Sequence, residues 1–459
     1  STTANTHQCF GIAAYNLALD CMADDLIMQS QGNGWFWGDH CYNVKSNYTS
    51  SAFRSYDVWY ANYKWIANVN YIIDAEPEMA GTEADVAYVA GQAYAIRALC
   101  YLNLATWFSR APYNSLTGAS RWNEPCVPVY TTGTSIDTGG QPRESLRTVY
   151  GRIDQDIDRA IELLEKARET TLAENNKSHI NLYVALGIKS RACLAEGDWD
   201  GAFKAAKRVI DEGGYSVGTK SDLTGGMNSL DKQNVMWGAG IQVADQAGGY
   251  AGFFTHMDNK EGAYAKSAPK LISKQLYNRI SATDIRRDWW DPSDKESPYV
   301  SKKFSFANVA SFLGDYIYMR VEEMYFTAAE AALRLDDLKS ARELMNTVMA
   351  ERDPGYSANN RSGTLLGATT TTWTGSFLEN ILPHRRIELW GEYGRLFDVR
   401  RLGQGIDRRT DDGFSEECIS MMNRRNVNIT KADTYDWVLT IPKAELDANP
   451  NINEEDQNP

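Results

Sequence analysis

The chain predicts a mostly α protein: a helical scaffold with tetratricopeptide-like helix pairs and a large irregular insertion bearing the ligand face. Three observations predict it. Apolar residues recur at three- and four-residue steps through most of residues 1–212. Two distant stretches share one helix–turn–helix pattern with small residues at matching places. Residues 213–315 between them lose the helical period and gather Gly, Pro and scattered aromatics.

Along the chain, 56–73 carries Trp59, Tyr63, Ile66, Val69, Tyr71 and Ile73 at helical spacing. Residues 84–108 do the same with many Ala. Residues 146–167 put Val149, Ile153, Ile157, Ile161 and Leu164 on one face. The excursion 109–143 between them is rich in Pro, Gly, Thr and Ser and has no such period. Residues 181–212 predict two helices broken at Glu196-Gly197-Asp198, with Ala202 at a small position. Residues 325–354 repeat that pattern with Ala328-Ala329, a turn at Asp336-Asp337, Ala341 and a closing Pro354. The copies are too far apart for a tandem solenoid. Helices are expected again over 316–352 and 376–402, and a short β-like run over 235–243. Residues 1–459 therefore read as one domain. Residues 1–212 form its N-terminal helical region with the loop 109–143, residues 213–315 the insertion, and residues 316–459 the C-terminal helices and tail.

Composition narrows the function. The formal net charge of −13 excludes a nucleic-acid partner, whose phosphates need a basic face. Apolar content of 43% and charged content of 23% are those of a folded protein. The seven Cys residues form no C-x-x-C pair, which argues against a zinc ribbon or a disulfide framework. Cys100 and Cys193 fall on apolar helical faces and read as buried thiols. The five His residues show no metal-ligand spacing. A Ca²⁺ held by loop Asp and backbone oxygens stays open without an EF-hand spacing to support it, and otherwise no cofactor is implied.

Two aromatic clusters stand inside breaker-rich loops: Gly34-Trp35-Phe36-Trp37-Gly38 and Asp288-Trp289-Trp290-Asp291-Pro292. An indole's flat apolar face and single N–H suit the C–H face of a sugar ring. Against this stands the plain alternative that large aromatics plug loops onto a core. The ligand reading makes Trp35, Trp37, Trp289 and Trp290 a stacking cradle, extended by Tyr299, Tyr250 or Phe254. Asn33, Asp39, Arg286 and Asp288 would then bond hydroxyls. Binding of roughly 10 μM to 1 mM, about −4 to −7 kcal/mol, is expected of so open a site.

Three segments resemble the SusD/RagB family of outer-membrane nutrient-binding lipoproteins. Residues 319–331 (MRVEEMYFTAAEA) are similar to its R-x-x-E-x-Y-L-x-x-A-E-A helix. Residues 384–401 (HRRIELWGEYGRLFDVRR) resemble R-R-x-E-L-x-x-E-G-x-R-x-x-D-L-x-R, with Tyr393 where the family tends to have Gly. Residues 441–451 (IPKAELDANPN) are close to I-P-x-x-E-x-x-x-N-P-N. Weaker echoes lie at 59–73, 92–108 and 284–287. The resemblance implies a cell-surface protein held in the outer membrane by a lipid on a cysteine upstream of residue 1. It implies capture of oligosaccharides, or in some members peptides, for a TonB-dependent transporter, with no catalysis. It places the ligand face on the region after the first helix and on the insertion.

Enzymatic alternatives have specific signatures here. A helical glycoside hydrolase would pair Asp24, Asp25 or Asp39 with Asp284, Asp288 or Asp291, about 5–9.5 Å apart. The run Gly214-Tyr-Ser216-Val-Gly218 copies a nucleophile elbow, but a helix precedes it where a strand is required. The charges of 384–401 recur at helical steps (Glu388, Glu392, Arg395, Asp398, Arg401), which predicts ion pairs within and between helices, not an active site.

Overall fold

The computed structural model describes residues 6–42, 53–135, 137–170, 172, 176–243, 251–431 and 434–459. The N-terminal region holds α1 (Ile12–Met22), strand β1 (Leu26–Met28), the short α2 (Trp37–His40), α3 (Arg54–Ala75), α4 (Glu83–Phe108), α5 (Leu146–Lys166), α6 (Leu182–Glu196) and α7 (Trp199–Glu212). Side-chain caps start the long ones: Thr82 accepts from the Asp85 amide, Ser145 from Thr148, and Asn181 from Tyr183 and Val184. Each cap satisfies backbone donors that the first turn leaves open. Gly91 marks the closest approach of α4 and α5, since a Cβ there would lie 2.9 Å from Leu164.

Both predicted helix pairs form. Helix α6 ends at Gly197, in the left-handed region at φ 76, and Asp198 caps α7. After the insertion, α12 (Val321–Arg334) and α13 (Leu338–Ala350) repeat the device, with Asp337 capping α13. The two pairs are neighbours in space, because α7 packs on α12. Ala202 and Ala331 meet there with Cys193 and Leu194, small side chains that let the helices close up. The array therefore runs α3, α4, α5, α6, α7, α12, α13, each helix against the next. A stack that sequence spacing argues against is completed in three dimensions.

The insertion contributes α8 (Lys220–Thr224), β2 (Val235–Ala239), α9 (Phe253–Met257), α10 (Ala263–Ser267), β3 (Lys270–Ile272), α11 (Lys274–Tyr277), β4 (Trp290–Asp291) and β5 (Val300–Ser301). β3 pairs antiparallel with β1, Leu26 opposite Ile272, and the four-stranded order is β1-β3-β5-β4. The segment after the first helix and the insertion are thus one sheet. Residues 316–320, expected to open a helix, instead form β6 (Tyr316–Arg320), antiparallel to β2. Three aromatic or β-branched residues in a row, Tyr316, Ile317 and Tyr318, fit a pleated strand better than a first helical turn. The chain closes with α14 (Leu378–Glu388), α15 (Arg395–Leu402), α16 (Glu416–Arg424) and α17 (Lys443–Ala448). The helix expected over 376–402 is two, split at Gly391 and Gly394, both at positive φ.

A buried ionic cluster locks the insertion to the C-terminal helices. Arg286, Lys303, Arg320 and Arg352 meet Asp284, Glu322, Glu388 and Glu392, four cations against four carboxylates. Glu388 alone accepts from Arg286, Arg320 and both Nε and Nη2 of Arg352 at 2.9–3.1 Å. Around α15, Asp398 binds Arg385 and Arg401, and Arg401 also binds Glu330. The charged run 384–401 is therefore structural, as its spacing predicts. All seven cysteines are buried, and none forms a disulfide.

Candidate functional site

The four indoles do not form a displayed cradle. Trp37, Trp289 and Trp290 are 4%, 3% and 1% exposed. Trp290 leaves β4 toward the interior and meets Trp289 and Trp390 edge-on, each at 5.8 Å. Trp289 donates its indole N–H to the Leu223 carbonyl at 2.9 Å, and the Lys303 ammonium lies 4.5 Å from its ring centre. Trp35 is half-buried and its face is taken by His7, stacked at 4.4 Å. The physical reason is area: an aromatic side chain buries 150–250 Å², so about 4–6 kcal/mol favours covering each ring wherever the turn permits. The flanking Gly, Asp and Pro bend the chain over the rings. They do not lift the rings into water.

The polar partners divide. Asp39 is buried and holds Arg54 through both oxygens at 2.9 Å, and Arg286 is fully buried between Asp284 and Glu388. Neither can meet a ligand hydroxyl. Phe254, 2% exposed, packs with Phe253, Phe306 and Tyr316. Tyr299 is half-buried edge-on to Tyr277. Asn33 and Asp288 are exposed. Tyr250 lies outside the described residues.

Apart from the exposed Asp288, the carboxylates that a hydrolase would pair are engaged elsewhere. Asp24 and Asp25 share Arg386 and Arg395, Asp39 holds Arg54, and Asp284 holds Arg286. Asp291 turns Oδ1 to the amide and hydroxyl of Ser293, which hold its carboxyl below the usual range. Ser216 is exposed and follows α7 with no strand before it. Among the described residues, no group of three His, Cys, Asp or Glu is placed to hold a metal. No helix among them is long and apolar enough to cross a membrane.

Two concavities among the described residues are large enough to take a small ligand. The larger, about 760 Å³, opens on the insertion. Its frame is the β3-β5-β4 sheet: Tyr299 donates its amide to the Asp291 carbonyl, and Lys302 to the Trp289 carbonyl, both at 2.7 Å. Of the groove's apolar lining Phe304 and Phe306 are buried, at 3% and 8% exposed, so the apolar surface offered to a ligand is Val309 and the adjoining Phe312, which stands edge-on to Phe306 with 44% of its surface exposed. The polar wall is Asp291, Asp294, Glu296 and Lys302. Asp294 uses Oδ1 on the amides of Glu296 and Ser297, fixing the turn that presents them. Glu296 and Lys302 are exposed and line the opening. The second concavity, about 420 Å³, lies between α3, the 130–138 segment and α17.

Sequence reading misses both. Periodicity assigns Tyr63 and Tyr71 to the core stripe of α3, yet Tyr63 is half-buried and Tyr71 is 54% exposed. The available signal is that Tyr60 and Tyr71 lie off the Trp59–Ile66–Val69 line.

A helical array of this kind, with an insertion returning to pair beside the first helix, is a scaffold that carries one irregular face. Family models bear on which scaffold it is. The model described as "SusD family" matches residues 261–459, and the one described as "Starch-binding associating with outer membrane" matches 11–194. A SusD-like carbohydrate binding protein from Bacteroides vulgatus is 25% identical, with a TM-score of 0.77, covering 99% of this chain and 94% of that one. A SusD superfamily protein from Bacteroides thetaiotaomicron is 23% identical at TM-score 0.78, covering 99% and 97%. Surface glycan-binding protein A from Bacteroides uniformis shares the fold at 17% identity and TM-score 0.68, covering 98% and 95%. No curated protein matched the chain. The chain belongs to the SusD/RagB family.

Proposed function

We propose that this protein captures oligosaccharides at the cell surface without cleaving them and hands them to a TonB-dependent transporter in the outer membrane. Family membership supports glycan binding, as does the likeness to a carbohydrate binding protein over nearly the whole chain. The observation that carries the site is the insertion groove, about 760 Å³ and within the roughly 300–1,000 Å³ of small-ligand sites. Its exposed apolar surface, Val309 with Phe312 beside it, suits the C–H face of a sugar ring. Asp291, Asp294, Glu296 and Lys302 beside it offer acceptors and a donor for hydroxyls. A family lipid anchor upstream of residue 1 would hold the groove outside the membrane.

The variant Asp294→Ala/Glu296→Ala removes the wall without touching the core. Screened on an array of oligosaccharides, it should lose binding to whatever glycan the unaltered chain retains, with helical content unchanged. Equal retention by both proteins would remove the groove from the reading. Prolonged incubation with the retained glycan should release no new reducing ends, and their appearance would establish an enzyme. Affinity capture from native outer membranes should bring down a β-barrel partner, and repeated failure to do so would count against delivery.

A further inference from the structure

The smaller concavity has a chemistry of its own. Helix α3 presents Tyr60, Tyr63 and Lys64 to it, Tyr130 stands across from them, and Glu445 of α17 closes one end. Its walls are pinned at their polar tips. Tyr63 Oη donates to the Pro128 carbonyl at 2.7 Å, and Tyr130 Oη accepts the Gln141 amide at 3.0 Å. Trp59 Nε1 donates to Glu445 Oε2 at 3.2 Å, and Asn449 donates to Oε1 at 2.8 Å. Tyr63 stands edge-on to Tyr130 at 5.8 Å and tilted against Trp59 at 4.9 Å. Rings held in this way keep the recess open, so little ordering cost falls on a ligand that enters.

The charges choose the ligand. Lys64 is exposed, 5.9 Å from the Tyr60 ring centre, and in no ion pair among the described residues. Glu445 is anchored by two neutral donors, the Trp59 indole and the Asn449 amide. An anionic ligand would meet Glu445, and a cationic one would meet Lys64. A purely apolar ligand would strip water from both without replacing its hydrogen bonds. A neutral polyol serves both, accepting from Lys64 and donating to Glu445, while a flat C–H face lies on Tyr60, whose surface is 41% exposed. The hydroxyls of Thr134, Ser135 and Thr138 line the remaining edge.

We propose that this recess is a second carbohydrate seat, separate from the insertion groove, that takes a neutral pyranose unit. It rests on the reading of the protein as a glycan binder, and a second seat would let a long chain be held at two points, raising retention by effective concentration.

The test uses the full chain and saturation-transfer NMR. The probes are methyl β-D-glucopyranoside, methyl β-D-galactopyranoside and methyl α-D-mannopyranoside, with methyl β-D-glucuronide as the acidic counterpart. At least one neutral glycoside should receive saturation in the unaltered protein and in the groove variant Asp294→Ala/Glu296→Ala. That signal should fall severalfold in Tyr60→Ala/Lys64→Ala, whose exposed positions leave the melting curve unchanged. Transfer that survives Tyr60→Ala/Lys64→Ala, or that vanishes only in the groove variant, overturns the second seat and leaves the groove reading standing. Transfer to the glucuronide as strong as to the neutral sugars overturns the assignment of ligand charge. No transfer to any probe in any of the three proteins overturns the seat as well.

Discussion

Replacing Glu388 by alanine should be among the most damaging single changes available outside the apolar core. The residue is fully buried and accepts from three arginines, so the substitution deletes four charge-assisted hydrogen bonds. It also leaves four buried cations facing three carboxylates, an excess of one positive charge away from water. Breaking a buried pair in this way costs about 3–5 kcal/mol. At about 1.4 kcal/mol per factor of ten, the unfolded fraction rises by about a hundredfold to a few thousandfold. The assay is urea unfolding followed by far-ultraviolet circular dichroism at neutral pH, on Glu388→Ala and on Glu388→Gln, which keeps the shape and loses the charge. The pH dependence gives a second handle. Burial would by itself raise the Glu388 carboxyl, but Arg352, Arg320 and Arg286 hold it well below its ordinary 4.5. A folded-state value below the unfolded one contributes stability that is complete above about 4.5 and lost as the pH falls beneath it. The gap between native and Glu388→Ala should therefore be widest near neutrality and shrink in acid. Equal midpoints at neutral pH, or a gap that does not shrink below 4.5, would refute the reasoning.

Three further outcomes are expected. Trp290→Ala should lower stability by about 3–5 kcal/mol, the cost of a large cavity in a packed core, in a thermal or urea melt; a stable variant that merely binds glycan less well would restore the displayed-indole idea. His256, buried with Nε2 on the His7 carbonyl, is held well below its ordinary 6.5 by burial and then by Lys270. Its stabilising effect is complete above 6.5 and lost as the pH falls below, so the stability gap between native and His256→Gln should narrow from pH 6.5 toward 5; a constant gap in urea melts would argue against a neutral buried imidazole. Gly197→Ala places a Cβ at φ 76 and 2.5 Å from the Tyr113 ring, and should cost at least about 1–2 kcal/mol in the same melt, with a neutral effect ruling out the tight turn.

What can be read from the residues follows from local rules. The Ser145 cap and the Val149–Leu164 stripe predict α5 nearly to the residue. The break at Gly197-Asp198 predicts the α6–α7 turn, because few other residues accept a left-handed conformation there. In 384–401 the pair Asp398–Arg401 follows from three-residue spacing, whereas Arg385–Asp398 crosses from α14 to α15 and is set by the tertiary fold. The aromatic loops mislead because breakers beside Trp suggest exposure. A turn can fold a ring inward as readily as outward, and only the pairing of β4 with β5 decides which. The start of α12 escapes local rules for a similar reason: Tyr316–Arg320 is a strand only because Val235–Ala239 lies beside it.

Sequence by itself determined most of the helices, the paired-helix pattern and the family, since each depends on residues within a turn or two of one another or on ordered short motifs. Tertiary structure alone decided that the two helix pairs become neighbours, that β1 and β3 join the segment after the first helix to the insertion, and that the loop indoles turn inward. Those outcomes depend on contacts between residues hundreds of positions apart, and on burying large rings being worth more than displaying them. No local pattern records either term.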